Sequence, residues 1–270
     1  MSTLLIAAIY ELWNDRRMMK FITLFALMSL TSCSSYLRTT ATRMMSPESN
    51  GKTLGGTIDI RLQQGQNAKL NFRESTTEPI EGYGELASLG LYADLGIIES
   101  LDFYFNQGSM LAPSMFGLKY QFVGDSRIKA KKGNSSAAVA VGMGSRNASK
   151  SSGDADDDIL SGHIKELDLD HSVKDIGLIL GHRWTDSLLH YFNFFYVQQD
   201  VSGEVTNKSG SVTKADFDYD GESYLISTGL MLYLSQHFHF KIDLSHMKSN
   251  WERSNGQTSN IVNGGIGFNW

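Results

Sequence analysis

Three of the seven histidines fall between residues 235 and 247, in the stretch SQHFHFKIDLSHM, beside Lys241 and Asp243. His237 and His239 stand two apart, a spacing that on a strand puts both rings on one face and can chelate zinc or copper. A metal site needs a third donor, and His246 falls in the opposite phase. The expectation is a polar strand face with no metal and no other cofactor. A little further on, His246, Ser249 and Glu252 bring together the residue types of nucleophilic catalysis, in which a histidine activates a serine and a carboxylate orients the histidine. Residues three apart on a regular strand face opposite sides, so this pairing requires a bulge, and no catalytic set is assigned. Asp154, Asp156, Asp157 and Asp158 lie in GDADDDILSGH at 153–163. Such a run can attract calcium or magnesium, but the EF-hand spacing of glycine and distal glutamate is missing, which favours a solvated loop.

The segments that carry these residues have a period of two. In ESLDFYFNQ, Leu101, Phe103 and Phe105 share one face, with Asp102, Tyr104 and Asn106 on the other. In SMFGLKYQFV, Phe116, Leu118, Tyr120 and Phe122 oppose Lys119 and Gln121, and in SYLISTGLMLYL, Tyr224, Ile226, Leu230, Leu232 and Leu234 oppose Ser223, Ser227 and Gly229. The histidine stretch obeys the same rule, with Phe238, Phe240, Ile242 and Leu244 against His237, His239, Lys241, Asp243 and Ser245. A helix would place apolar residues three and four apart, so these are strands with one apolar face. No window beyond residue 33 is apolar for the roughly 18 residues that a membrane helix requires.

About ten strands result, within roughly two either way. They fall within 56–74, 85–96, 99–106, 114–123, 134–145, 172–182, 188–200, 223–234, 237–247 and 261–270. Ile58, Ile60, Leu62, Leu70 and Phe72 share one phase, so 56–74 is taken as a single strand that continues through QQGQN. Connections near 97, 184 and 235 are tight, those near 80, 110, 155, 210 and 255 are mostly longer and polar, and the basic connection at 124–133 is long for its place among the short ones. This pattern resembles the bacterial outer-membrane β-barrel proteins. The last strand, IVNGGIGFNW, ends on an aromatic residue in phase with Val262, Ile266 and Phe268, similar to the terminal signal recognised by the barrel-insertion machinery. The resemblance implies an all-β, antiparallel up-and-down transmembrane barrel. Its partners would be outer-membrane lipids, lipopolysaccharide and, through Phe268 and Trp270, the insertion machinery.

In such a barrel Asp102, Lys119, Asp175, His237, His239, Lys241 and Asp243 form a polar lining of the lumen, joined by Asp59, Arg61, Lys69, Arg73, Glu85, Asp94 and Arg183. With about ten strands these side chains fill the interior and pair across it, whereas an aqueous channel takes about 16 strands. Trp184, Tyr191, Tyr196 and Trp270 are placed in interfacial girdles.

At the amino-terminal end, Arg16, Arg17 and Lys20 precede FITLFALMSL, which has the length and flanks of a secretory signal. LTSC follows: Leu30, Thr31 and Ser32 before Cys33, the chain's single cysteine, resemble the lipobox of bacterial lipoproteins, which implies diacylation at Cys33. The resulting division is a signal region over 1–32, with 1–17 read as an overlong start, a lipidated flexible tether over 33–55 and the barrel over 56–270. The formal charge of −5 gives no reason to expect nucleic acid.

Two enzyme families are also touched. His246, Ser249, Asn250 and Glu252 loosely resemble the His-x-Ser-Asn signature of outer-membrane lipid A deacylases, with one residue too many in the spacing. DLDH at 168–171 is similar to the acidic and histidine residues of the omptin proteases. The expected function is an outer-membrane β-barrel lipoprotein with a filled polar lumen and a structural or surface role, or narrow passage of small solutes. A lipid A hydrolase and a soluble periplasmic β-barrel lipoprotein are the alternatives.

Overall fold

The computed structural model describes residues 36–41, 43–63, 65–70, 80–85, 88–107, 112–151, 164–207, 214–252 and 256–270. Their strands are β1 (Tyr36–Ala41), β2 (Gly56–Gln63), β3 (Gly65–Leu70), β4 (Ile80–Glu85), β5 (Ser88–Ile98), β6 (Leu101–Gln107), β7 (Ser114–Val123), β8 (Ser135–Ser151), β9 (Ile164–Thr185), β10 (Leu188–Asn207), β11 (Lys214–Tyr233), β12 (Phe238–Trp251) and β13 (Gln257–Asn269). Ten of them, β2 and β5 to β13, close into one antiparallel barrel in which β13 pairs with β2. Over the band where the ten strands overlap, closure gives every wall strand a hydrogen-bonded neighbour on both sides. The all-β, ten-stranded antiparallel barrel read from the alternation is the observed fold.

β1, β3 and β4 form a separate three-stranded sheet in the order β1-β3-β4. The single strand expected over 56–74 is therefore two. β2 stays in the wall, and within QQGQN the chain leaves it as β3, returning through β4 to enter the wall again at β5. A shared apolar phase does not distinguish a strand that stays in the wall from one that departs at a polar, glycine-bearing break.

The barrel has two unlike ends. At the turn end lie the tight β5–β6, β9–β10 and β11–β12 connections, the longer 124–134 connection between β7 and β8, and Trp270. At the loop end lie the β3–β4 excursion and the connections after β6, β8, β10 and β12. Around the turn-end half the outward side chains are apolar, while the inward ones mix buried charged and polar groups with buried apolar and aromatic ones such as Tyr92, Tyr104, Ile179, Leu189 and Met231. On β12, Phe238, Phe240, Ile242 and Leu244 are 50%, 44%, 53% and 55% exposed, while His239, Lys241 and Asp243 are buried.

Beyond this belt β9, β10 and β11 run on for totals of 22, 20 and 20 residues, well past the ends expected from sequence. The polarity there inverts. Leu169, Val201, Phe217 and Trp251 pack together inside, and Asp168, Asp170, Asp200, Asp216, Asp218 and Asp220 are exposed outside. The period of two continues, as in ELDLDH, but its apolar phase has moved to the interior, so a search for an outward apolar stripe stops short. Tyr191 is a further correction, because it is fully buried inside the barrel rather than in a girdle. Tyr196 faces outward at the loop-end border of the belt, 5.2 Å between centroids from Tyr224 on β11, and Trp184 and Trp270 face outward at the turn end.

Candidate functional site

The lumen of the turn-end half is occupied by the chain itself. Residues 43–50, expected to belong to a solvated tether over 33–55, are buried inside the barrel, except for a partly exposed Ser46. The serine, threonine and glycine of the surrounding stretch read as a flexible tether, whereas Ser46, Ser49 and Asn50 suit a segment whose backbone must be bonded by a polar interior. Cys33 and residues 34 and 35 lie outside the described residues.

Each step of this thread meets a wall side chain. Arg43 Nε donates to Asp175 Oδ2 on β9 at 2.8 Å, and its Nη2 to Met115 Sδ on β7 at 2.6 Å. Asn193 on β10 donates to the Arg43 carbonyl, and Arg61 Nη2 on β2 to the Met44 carbonyl at 2.9 Å. Lys119 Nζ donates to the carbonyls of Ser46 and Glu48 at 3.2 and 3.0 Å. The Glu48 carboxylate is gripped by Arg183, with Nε at 2.7 Å and Nη2 at 2.6 Å. Ser49 N donates to Gln121 Oε1 at 2.7 Å, and Asn50 N reaches Asp102 at 3.1 Å while its Nδ2 donates to Asp94 Oδ1 at 2.7 Å. Where the thread leaves the lumen, Arg127 N of the β7–β8 connection donates to Ser49 O at 2.9 Å, and Gly51, at φ +78°, turns against Ser126. A Cβ at Gly51 would collide with that serine, and the positive φ disfavours side chains in any case.

Apart from Asp243, whose carboxylate accepts from Ser245 and Asn263, the buried charges among the described residues are matched by opposite ones nearby. Asp59 on β2 holds Lys241 Nζ at 2.6 Å, Arg61 Nη2 at 2.8 Å and His239 Nε2 at 2.9 Å. Lys119 lies 3.1 Å from Asp102 and 3.9 Å from Asp94, which also accepts from Tyr92 Oη at 3.0 Å. The Arg61 guanidinium stacks on the Tyr92 ring, 4.0 Å from its centroid. An isolated charge in such a setting carries a large desolvation penalty, so the grouping is what permits burial. A cavity of about 460 Å³ at the turn end, lined by Arg127, Arg183, Tyr233, His237, Asn269 and Trp270 among others, marks the vestibule below the thread.

Of the residues expected to line the lumen, Asp102, Lys119, Asp175, His239, Lys241 and Asp243 are buried within the barrel. His237 is not. It sits exposed in the β11–β12 turn, its Nδ1 3.0 Å from the Asn269 carbonyl and its ring stacked on Phe268, because the strand begins one residue later. His237 and His239 thus do not converge, and no trio of His, Cys, Asp or Glu placed to hold a metal ion occurs among the described residues. Lys69, Arg73 and Glu85 have no described side chains, and the acidic run at 154–158 lies outside the described residues.

The candidate catalytic residues separate. β12 pairs with β11 and β13 in unbroken register, so the bulge that would unite them is absent. His246 points outward, exposed, with Nδ1 2.8 Å from Asn260 Oδ1. Ser249 points inward, buried, with its Oγ 2.6 Å from Ser223 Oγ. Glu252 is exposed in the turn that follows β12. In DLDH the aspartates Asp168 and Asp170 face outward and His171 inward, its Nε2 3.2 Å from Gln199 Oε1. The thread was missed from sequence because Arg43 and Glu48, its two charges in the lumen, read as ordinary solvated residues. Their spacing matches no motif.

No family model matches the chain, and neither does any curated protein. Among solved structures it is similar to Ail, the attachment invasion locus protein of Yersinia pestis, at 11% identity and a TM-score of 0.34 over 81% of this chain and 99% of that one. It is also similar to the outer membrane protease OmpT of Escherichia coli, at 10% identity and a TM-score of 0.41 over 81% of this chain and 94% of that one. A third likeness is to the CymD monoaromatic hydrocarbon channel, at 10% identity and a TM-score of 0.23 over 89% and 95%.

Proposed function

We propose that this protein is an outer-membrane β-barrel, lipidated at Cys33, whose lumen is closed by its own amino-terminal segment and whose role is structural or at the cell surface rather than that of an open channel. The observation that carries the membrane placement is the continuous outward apolar belt around a closed wall. Large side chains on all ten barrel strands, from Ile58, Leu95, Phe103 and Phe116 round to Ile266, stand exposed while their neighbours in sequence point inward. In water such a surface would drive aggregation. In hydrocarbon it is the expected polarity of a spanning barrel, and closure satisfies the backbone without solvent. Outer-membrane lipids and lipopolysaccharide are then the partners of the belt and of the rim above it, and the strand ending Phe268 and Trp270 is the segment offered to the insertion machinery.

The filled lumen favours a structural or surface role over passage of solutes, since residues 43–50 and the charges that bind them take up the turn-end half. The hydrolase alternative is disfavoured by the opposite facing of His246 and Ser249. The reading is tested by gel mobility and release from membranes. The folded protein is expected to run differently boiled and unboiled and to stay in the membrane after carbonate washing when Cys33 is changed to Ser. Equal mobility, together with release of the Cys33→Ser protein, would establish the soluble lipoprotein alternative instead.

A further inference from the structure

The direction in which the thread enters the barrel decides on which side β1 lies. β1 pairs antiparallel with β3, Ala41 opposite Gly65 and Tyr36 opposite Lys69. Gly65 follows closely on Gln63, the loop-end residue of β2, so Ala41 is near the loop-end rim and Tyr36 is further out. Going down the thread, Arg43 meets Asp175 and Asn193, Glu48 meets Arg183 close to the β9–β10 turn, and Ser49 and Asn50 meet Glu99, Asp102 and the β7–β8 connection. β2 then begins at Gly56, where the Gly56 and Trp270 backbones bond to each other, and climbs back to the loop end. A tether arriving from the turn end would have to meet these partners in the reverse order.

We propose that the chain is threaded through its own barrel, so that β1 is presented on the loop side, opposite Trp270, and is displayed at the cell surface. This rests on the reading of the protein as an outer-membrane barrel, in which the long loops face outward from the cell. The same contacts argue that the wall closes around the thread. Inserting it afterwards would require Asp175 and Arg183 to be buried first without their ion-pair partners Arg43 and Glu48, which is strongly unfavourable.

The test uses three forms of the full chain, each with one epitope tag: between Ser34 and Ser35, within 152–163 between β8 and β9, or after Lys132 in the β7–β8 connection. Each form is checked for the folded gel shift, and antibody binding is compared on intact and permeabilised cells. Binding to intact cells at the first two positions, and at the third only after permeabilisation, is the expected result. If the 152–163 tag binds on intact cells while the tag after Ser34 needs permeabilisation, threading is overturned and the barrel stands. If the 152–163 tag is itself hidden, the membrane reading fails and the threading proposal with it. Should the amino-terminal tag block folding, a Tyr36→Cys change in a Cys33→Ser background replaces it, read with a membrane-impermeant maleimide. Labelling of intact cells supports the proposal, and labelling only after permeabilisation overturns it.

Discussion

Glu48 and Arg183 are 135 residues apart in sequence and joined by two charge-assisted hydrogen bonds of 2.7 and 2.6 Å inside the barrel, which makes one side-chain pair the main tie between the thread and β9. The Arg183 guanidinium also lies over the Tyr233 ring, 4.5 Å from its centroid, and Nη1 donates to the Asp186 carbonyl at 2.7 Å, so its position is fixed from three sides. Bidentate geometry of this kind is specific as well as strong.

Removing either partner leaves the other buried and unpaired. Glu48→Ala and Arg183→Ala are each expected to lower the stability of the folded barrel by about 3–5 kcal/mol. The double variant should lose clearly less than the sum, because the uncompensated charge is gone. Urea titrations of all four proteins in detergent, followed by tryptophan fluorescence, give the coupling directly. Additive losses would mean that the two side chains do not act as a pair.

Asp59 accepts from Lys241, Arg61 and His239, so its removal strands the Lys241 and Arg61 cations together, whereas removal of Lys241 strands none. Asp59→Asn is therefore expected to reduce the yield of folded barrel far more than Lys241→Met, which keeps the stem that packs inside. The heat-shifted fraction after refolding into detergent measures both. Equal losses would show that Asp59 does not hold the cluster together.

How much of this was legible beforehand differs by element. The belt on β12 could be read directly, since Phe238, Phe240, Ile242 and Leu244 alternate with His239, Lys241 and Asp243 and a closed wall gives each phase one environment. The same alternation hid the upper wall, because Leu167 and Leu169 are apolar in the phase that faces inward, and membrane logic looks for the opposite. The thread was illegible for a different reason. An extended segment bonded by side chains rather than by a ladder has no period, and the partners of Arg43 and Glu48 are supplied by β9, more than a hundred residues away. For the candidate catalytic residues, strand phase was already informative: residues three apart diverge unless a bulge intervenes, and none does between His246 and Ser249.

Above the belt, Asp200 on β10 lies opposite Asp220 on β11. A hydrogen bond shared with Asp200, together with its charge and those of Asp218 and Glu252, raises the Asp220 carboxyl above the ordinary carboxylate value. A group whose pKa is raised by folding stabilises the folded state below its unfolded value of roughly 4 and loses that contribution as pH rises through the folded value. At neutral pH the pair is therefore repulsive. Asp220→Asn is expected to raise the urea midpoint near neutrality, and the gain should shrink as pH falls to about 4. A gain that is the same at both values would point to packing rather than charge.

The membrane placement makes a depth-dependent prediction. Ile242 faces outward in the middle of the β12 stripe, whereas Thr258 on β13 faces outward beyond the belt, and both are exposed. In a bilayer Ile242→Arg should cost about 2–4 kcal/mol, because the guanidinium must be drawn towards an interface, and Thr258→Arg only about 0–1. In a soluble barrel both side chains would simply be hydrated, so Ile242→Arg would be harmless and would improve solubility. Folding free energies of the two variants in lipid vesicles separate these cases. A large loss at Ile242 with almost none at Thr258 is the signature of a wall immersed in hydrocarbon, and similar small effects at both positions would remove the barrel from the membrane.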